Sequence, residues 1–281
     1  MISGTSYDAV EAGVVDLSLS GELLTAVPRG AVSTPMPPDL RRRIAAILPP
    51  NATTIGEVTT LDVDLGELFG AIAGDVAAGP GGGAVDLVVS HGQTVFHWVD
   101  GVQGGRARGD IQLGSPAFIA QRAGLPVVAD LRNRDIAAGG HGAPLVSLLD
   151  HLLVIGDDPA RGSLNLGGIS NITVAHGASV IAYDIGPANA LMDAAVTAET
   201  NGAESFDEDG RRAARGGVRA DLLGRLLTEP YYAAAAPKST GKELFHGTYV
   251  DEMLAGLPPV TPDDLVATLT ELTAVTVADA C

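Results

Sequence analysis

The chain of 281 residues has a single cysteine, few aromatic residues and half as many basic as acidic side chains. Cys281 has no partner within the chain, which excludes an intramolecular disulfide and a cysteine-based zinc site. Lys and Arg number 17 against 34 Asp and Glu, so the formal charge is −17 and a nucleic-acid surface is not expected. Gly, Asp and Arg interrupt every apolar run before the ~20 residues that a membrane span needs.

The N-terminus lacks the basic and then apolar stretch that is typical of a secretory signal. We therefore expect a cytoplasmic protein with neither a membrane nor a nucleic acid as its partner. The chain is 46% hydrophobic and 18% charged, which predicts a folded core. Glycine is abundant, with 36 residues, so tight turns and close backbone approaches are expected.

Short apolar runs alternate with helical patterns along the chain. The runs at residues 86–90, 126–130, 164–166 and 180–184 predict buried strands. Helices are predicted at residues 38–48, 61–77, 115–123, 189–200 and 261–280. This alternation is typical of an α/β protein, and the Gly-rich stretch at residues 139–142 is a candidate boundary between two domains.

Two glycine-rich turns are candidates for phosphate binding. Gly4, Thr5, Ser6, Tyr7 and Asp8 offer backbone amides and hydroxyls for phosphate oxygens, and a carboxylate for magnesium. An ordinary polar turn also fits this pattern, and the Gly-Lys-Ser of a P-loop does not follow. The Gly-Gly pair at residues 167–168 lies between two β runs, so it fits either a hairpin turn or a second phosphate clamp.

Asp184 stands at the end of a predicted strand and is followed by a glycine turn and a helix. Open α/β sheets place catalytic groups at such strand ends. Two glycine turns and one carboxylate suit a phosphotransferase, in which positioning and electrostatics dominate and one base orients the nucleophile.

Two polar clusters complete the candidates. Ser90, His91, Gln93 and Thr94 follow a predicted strand and are of the types that line sugar sites. The stretch at residues 132–135 contains two arginines, which bind carboxylates or phosphates but equally suit a solvated loop. His91 and His97 lack a third ligand at a sensible spacing, so they predict no metal site.

Several blocks in the same order resemble the anhydro-N-acetylmuramic acid kinase family. They are SGTSYDAVEAG, SHGQTVFH, IQLGSPAFIAQRAGLPVVADLRNRDIAAGGHGAPLV, NLGGISNIT, YDIGPANALMD, SFDEDGRRAARG and PKSTGKELF. The resemblance implies a two-domain ATPase fold of the actin, Hsp70 and sugar-kinase type. Each domain would hold an RNase-H-like sheet, over residues 1–138 and 139–281, with the active site in the cleft between them.

The resemblance also implies a reaction. Water opens the 1,6-anhydro bond of 1,6-anhydro-N-acetylmuramic acid, and O6 takes the γ-phosphate of ATP, giving N-acetylmuramic acid 6-phosphate in cell-wall recycling. It implies ATP and Mg²⁺ as cofactors, Asp184 as the base that activates the water, and Asp8 as the metal ligand. The implied nucleotide contacts are Gly4, Thr5, Ser6, Tyr7, Asp8, Ala9, Val10, Glu11, Gly167 and Gly168. The implied sugar contacts are Gln93, Thr94, Arg132 and Arg134.

The match has departures. Ala188 and Glu11 stand where the family usually has Gly and often has Asp. Only three residues precede the first glycine turn, so we expect no strand to lead into it. Nothing matches the family's adenosine segment, so the fold is expected to be truncated at both ends. The alternatives are an inactive fragment, a non-catalytic sugar-binding or regulatory module of the same fold, and another sugar kinase. The sequence leaves a homodimer open.

Overall fold

The computed structural model describes residues 1–4, 6–21, 23–100, 106–156, 158, 160–176, 179–236, 238–241 and 244–281. The chain divides into two compact units. Unit 1 contains Met1–Val99 and Ala107–Gly142, and unit 2 contains Ala143–Cys281. The division lies near the boundary proposed at residue 138. That either unit is actin-like stays a prediction.

Unit 1 is built on a five-stranded sheet in the order β3-β2-β1-β5-β6. Its strands are β1 (Ile2–Ser3), β2 (Ala9–Ser20), β3 (Leu23–Pro35), β5 (Gln93–Val99) and β6 (Ala107–Leu113). A separate parallel pair joins β4 (Val88–Val89) to β7 (Val127–Val128). Met1 lies beside this pair, because its ammonium group donates to the Val89 carbonyl at 2.8 Å and its carbonyl accepts the His91 N–H at 2.9 Å.

The strand β1 corrects one expectation from the sequence. Ile2 and Ser3 do form a strand in front of the first glycine turn, antiparallel to β2 and parallel to β5. The expectation was wrong because two residues suffice where neighbouring strands on both sides satisfy the backbone. The sequence analysis also missed the long hairpin β2–β3. Leu17, Leu19 and Leu23 in its outer half are exposed, so the sequence there does not alternate between buried apolar and exposed polar residues.

Four helices pack in unit 1: α1 (Pro38–Ile47), α2 (Ile55–Ala78), α3 (Pro116–Ala123) and α4 (Leu131–Ala137). The first three confirm predicted helices, although α2 begins earlier than expected. Thr54 explains the earlier start, because its hydroxyl accepts the Glu57 N–H at 3.1 Å as an N-cap. The fully buried side chains of this core are Val10, Ile44, Leu61, Leu65, Phe69 and Ile119.

Unit 2 has an antiparallel sheet in the order β10-β9-β8. The strands are β8 (Gly162–Leu166), β9 (Ile169–His176) and β10 (Ser179–Pro187). Before them lies α5 (Ser147–Asp150), which continues as a π-helical turn over His151–Ile155. The helices after them are α6 (Asn189–Glu199), α7 (Arg211–Arg215), α8 (Ala220–Leu226), α9 (Gly247–Leu254) and α10 (Pro262–Ala280), with 3-10 turns at Glu208–Gly210 and Pro230–Ala233.

The core of unit 2 is helical and aromatic. Leu191, Leu222, Leu269 and Leu272 are buried among the helices, and Phe245 lies against three tyrosine rings. Strands are present at 164–166 and 180–184, and the helices at 189–200 and 261–280 are confirmed. The expected burial of the strand at 164–166 was wrong, because Leu164 and Leu166 are exposed. No helix within the described residues is both long and apolar enough to cross a membrane. The expected mixed α/β architecture is therefore present.

Gly114 fixes how β6 turns into α3, and we expect Gly114→Ala to destabilise unit 1. The backbone φ is +112°, and a Cβ there would lie 2.7 Å from the ring of the buried Phe69. Overpacking of this kind costs about 1–3 kcal/mol.

Gly124→Ala is the matched control, because Gly124 also has a positive φ (+69°) but no atom within 4 Å of the added Cβ. We expect it to cost only the backbone term, about 1 kcal/mol. Thermal unfolding of both variants measures the difference. Equal losses of stability would contradict the packing argument.

Candidate active site

The first glycine turn joins β1 to β2 and is closed by its own polar groups. The Tyr7 N–H donates to the Gly4 carbonyl at 3.0 Å, and Tyr7 has a φ of +43°. The Asp8 carboxylate accepts the Ser6 hydroxyl at 2.6 Å and the Ala9 N–H at 3.0 Å. Asp8 is thereby held in one orientation at the exposed edge of the turn. Thr5 lies outside the described residues.

Gln93 supports this turn from below. Its side chain is fully buried, accepts the Ser3 hydroxyl at 2.5 Å, and donates to the carbonyls of Gly4 and Thr94 at 3.3 and 3.0 Å. A side chain whose amide is used in this way positions the turn. Direct contact of Gln93 with sugar stays a prediction.

Residues 9–11 were expected in the phosphate loop, but they form the first part of β2. Val10 is fully buried in the core, so its side chain cannot contact a nucleotide. The Glu11 carboxylate accepts the Ser33 hydroxyl of β3 at 2.6 Å. Strand pairing with β1 explains this placement, because Ile2 and Ser3 lie opposite Glu11 and Val10. Nucleotide contact by residues 9–11 stays a prediction.

Unit 1 contains a polar cleft of about 330 Å³. It is formed by the ends of β4, β6 and β7 and by α2 and α4, and it is rich in carboxylates and other hydrogen-bonding groups. The residues that line it are Asp62, Ser90, His91, Gly92, Asp110, Ile111, Gln112, Gly114, Pro116, Ala129, Asp130 and Asn133.

A hydrogen-bonded row of side chains stiffens one wall of the cleft. The Thr94 hydroxyl donates to Gln112 at 2.9 Å, and the Gln112 amide donates to Asp110. His97 donates from Nδ1 to the other Asp110 oxygen at 2.9 Å. Thr94, an expected sugar contact, thus acts on the cleft through Gln112, which lines it.

His91 contributes an acceptor to the same cleft. Its Nδ1–H donates to the Gly92 carbonyl at 3.3 Å, and its Nε2 is buried without a hydrogen-bond partner among the described residues. Burial and the neighbouring Arg132 lower the pKa of His91, while Gly92 and Asp110 act in the opposite direction. The ring is therefore held neutral, with Nε2 as an acceptor.

Asn133 was missed by the sequence analysis, which selected the arginines on either side of it. Asn133 exchanges hydrogen bonds with the backbone of Asp110 at 3.0 and 2.8 Å and donates to Asp130 at 2.7 Å. Arg132 donates to the Gly142 carbonyl at 2.5 Å, and Arg134 is exposed. Neither arginine lines the cleft. Successive residues on α4 point about 100° apart, which separates Asn133 from its neighbours.

In unit 2, Gly167 and Gly168 form the predicted turn of the β8–β9 hairpin. Their carbonyls accept the N–H groups of Ala188, Asn189 and Ala190 at 2.9–3.0 Å. These amides begin α6, so the turn satisfies donors that the helix itself cannot. The hairpin is confirmed, and a phosphate clamp at this turn stays a prediction.

Asp184 lies near the end of β10, where a bulge separates it from Gly186. It is 6% exposed, and its carboxylate Oδ2 accepts the Thr240 N–H at 3.0 Å. Its own N–H donates to the Lys238 carbonyl at 3.0 Å, and its carbonyl accepts the Tyr231 hydroxyl at 2.7 Å. One hydrogen bond therefore orients the carboxylate, and two more hold the backbone of Asp184, all three with residues far away in the chain.

No group of three or more His, Cys, Asp or Glu side chains that could hold a metal occurs among the described residues. The chemistry of the first turn nevertheless fits Mg²⁺, because this ion keeps most of its waters and takes one or two carboxylates together with phosphate oxygens. Asp8 supplies one oriented carboxylate of that kind.

Comparison with known proteins gives consistent findings. The profile of the family described as anhydro-N-acetylmuramic acid kinase matches residues 1–281. A protein of that name from Streptomyces coelicolor is 55% identical over 282 residues, which cover 100% of this chain and 71% of the relative. Those from Rhodococcus erythropolis and Salinibacter ruber are 48% and 41% identical, and this chain covers 72% of each.

The neutral His91 predicts a dependence of stability on pH. Because the folded-state pKa lies below the ordinary value of 6.5, the unfolded chain binds this proton first as the pH falls. The contribution of His91 to the free energy of unfolding is complete above 6.5 and is lost as the pH falls through the lowered value. We expect His91→Gln to flatten the fall of Tm between about pH 7 and pH 5.

His141→Gln is the control, since His141 is a half-buried histidine of the same unit that does not line the cleft. Melting curves of the parent and both variants at several pH values give the comparison. If His91→Gln and the parent lost Tm in parallel, the neutral state of His91 would be refuted.

Proposed function

Because the chain belongs to the anhydro-N-acetylmuramic acid kinase family, we propose that it opens 1,6-anhydro-N-acetylmuramic acid with water and phosphorylates the freed O6. The enzyme is a kinase that uses ATP, and its reaction belongs to peptidoglycan recycling. In the proposed step, water oxygen bonds to the anomeric carbon as the bond from that carbon to O6 breaks. O6 then bonds to the γ-phosphorus, and ADP leaves.

Asp184 is the base of this reaction, and its geometry carries the proposal. The carboxylate is buried, and the Thr240 N–H holds Oδ2, so the side chain does not reorient before it accepts a proton. Asp184 takes a proton from the attacking water and so raises the nucleophilicity of the water oxygen. Correct orientation of the reacting groups supplies much of the rate enhancement in phosphoryl-transfer enzymes.

The polar cleft of unit 1 is the proposed sugar site. Its volume of about 330 Å³ lies within the range of small-ligand pockets. Asp130 accepts hydrogen bonds from hydroxyls, and His91 Nε2 accepts one more. Asn133, which is bonded to the backbone of Asp110, donates to the Asp130 carboxylate and orients it. This donor and acceptor set suits a hydroxyl-rich ring better than an apolar ligand.

The first glycine turn is the proposed phosphate site. Residues 4–8 are the proposed phosphate contacts, and Asp8 would hold Mg²⁺, which supplies charge neutralisation for the transferred phosphoryl group when bound. The overall charge of −17 makes such neutralisation necessary, because the chain is poor in cations. Gly167 and Gly168 are proposed as the second nucleotide contact.

Asp184→Asn is expected to lower kcat by about 10²–10⁴-fold, because an amide cannot take the proton. Formation of sugar phosphate from ATP and the anhydro-sugar is measured for the parent and the variant. Glu199→Gln, at the exposed end of α6, is the control and should keep kcat. An Asp184→Asn enzyme as active as the parent would contradict the base role. If the parent protein bound the anhydro-sugar but formed no sugar phosphate, the result would support a non-catalytic sugar-binding module instead.

Asp8→Asn is expected to raise the Mg²⁺ concentration needed for half-maximal activity by about tenfold, because the variant keeps an acceptor for Ser6 and Ala9 but loses the charge. Asp16→Asn is the control. It removes an exposed carboxylate of β2, whose oxygen accepts a hydrogen bond from Arg29 of β3. The activity of each is titrated with Mg²⁺. Identical Mg²⁺ curves for Asp8→Asn and the parent would remove Asp8 from the metal site.

A further inference from the structure

Lys238 is an unusual residue in this chain. It is one of only two lysines, and it is buried, with 6% of its surface exposed. Its ammonium donates to the carbonyls of Tyr231 and Tyr232 at 3.1 and 3.0 Å and lies 4.7 Å from the centre of the Tyr231 ring. Burial lowers the pKa of Lys238, and no carboxylate of the described residues opposes that shift.

Burial of an ammonium without a counter-ion disfavours the folded state, and an apolar side chain of similar length would stabilise the fold more. The structural role of the ammonium is therefore to hold the two backbone carbonyls to which it donates. These carbonyls belong to the 3-10 turn Pro230–Ala233, whose Tyr231 hydroxyl also donates to the Asp184 carbonyl.

Lys238, Tyr231 and Asp184 form a closed ring of hydrogen bonds. The Lys238 ammonium holds the Tyr231 carbonyl, the Tyr231 hydroxyl donates to the Asp184 carbonyl at 2.7 Å, and the Asp184 N–H donates to the Lys238 carbonyl at 3.0 Å. Two residues beyond Lys238, the Thr240 N–H holds the Asp184 carboxylate. Both the backbone and the side chain of Asp184 are therefore tied to the segment that Lys238 anchors.

We infer that Lys238 is a positioning residue for Asp184, acting through the Tyr231 turn and the Thr240 N–H. This inference rests on the proposed role of Asp184 as the base. Lys238 contacts no reacting atom in it. The Lys238 ammonium determines the position of the Asp184 carboxylate. A displacement of about 1 Å at a reacting group lowers the reaction rate by about 10²-fold.

Arg225 offers a matched control within unit 2. Its guanidinium also donates to two backbone carbonyls, those of Met253 and Ala255, at 2.9 and 2.7 Å. Arg225 takes no part in the hydrogen-bond ring of Lys238, Tyr231 and Asp184. Loss of Arg225 therefore removes the same kind of cation-to-carbonyl tie without touching the ring around the base.

The test is a double-mutant cycle between Lys238→Met and Asp184→Asn, with kcat and KM measured for the parent, both single variants and the double variant. We expect Lys238→Met alone to lower kcat by about 10²-fold with KM changed less than about threefold. In the Asp184→Asn background it should lower the residual kcat little further, because the base that it positions is already lost. Arg225→Met should lower Tm and change kcat by one and the same factor in both backgrounds.

Two outcomes would overturn the inference: an equal loss of kcat from Lys238→Met in both backgrounds, or an unchanged kcat in a folded Lys238→Met protein. Far-UV circular dichroism and a cooperative melt establish folding. Where Lys238→Met does not fold, Lys238→Gln and Tyr231→Phe enter the same cycle with the same expectation. A fully active Asp184→Asn enzyme would instead reject the base role itself, and the positioning role with it.

Discussion

Satisfaction of buried backbone polar groups is the constraint on which the rest of this structure depends. A turn that carries a functional group leaves several N–H and C=O groups without partners in its own element. In unit 1, Gln93 reaches up to the Gly4 carbonyl. In unit 2, the Gly167 and Gly168 carbonyls take the first amides of α6, and Lys238 takes the carbonyls of the Tyr231 turn. Each candidate functional segment is held by a bond of this kind.

The same constraint separates the polar residues that bond to the backbone from those that line a cleft. Residues that complete the hydrogen bonding of the backbone, such as Gln93 and Lys238, are buried and engaged internally. His91, which lines the polar cleft, instead has a buried Nε2 without a hydrogen-bond partner among the described residues. A chain with a formal charge of −17 has few cations to spare. We therefore propose that the backbone amides of the first glycine turn and a magnesium ion held by Asp8 bind the phosphate groups of ATP.

Parts of this organisation were predictable because they are local. The helices at residues 38–48 and 261–280 and the Gly167–Gly168 hairpin depend on neighbouring residues only, and all three are confirmed. The motif around Asp184 also singled out one carboxylate at a strand end, and the structure places it there. The hairpin β2–β3 was missed because its outer residues face solvent on both sides and give no alternating pattern.

The sequence by itself determined the family, the α/β alternation and the segments that could carry chemistry, since these depend on residue type and order along the chain. Only the tertiary structure decided which side chain in each segment does what. It buried the side chains of Gln93 and Val10 and placed Asn133 and Asp110 in the lining of the polar cleft. It also joined Lys238 to Asp184 across 54 positions (238 − 184). The reason is physical: orientation and burial depend on contacts between residues far apart in the chain, and no local pattern records them.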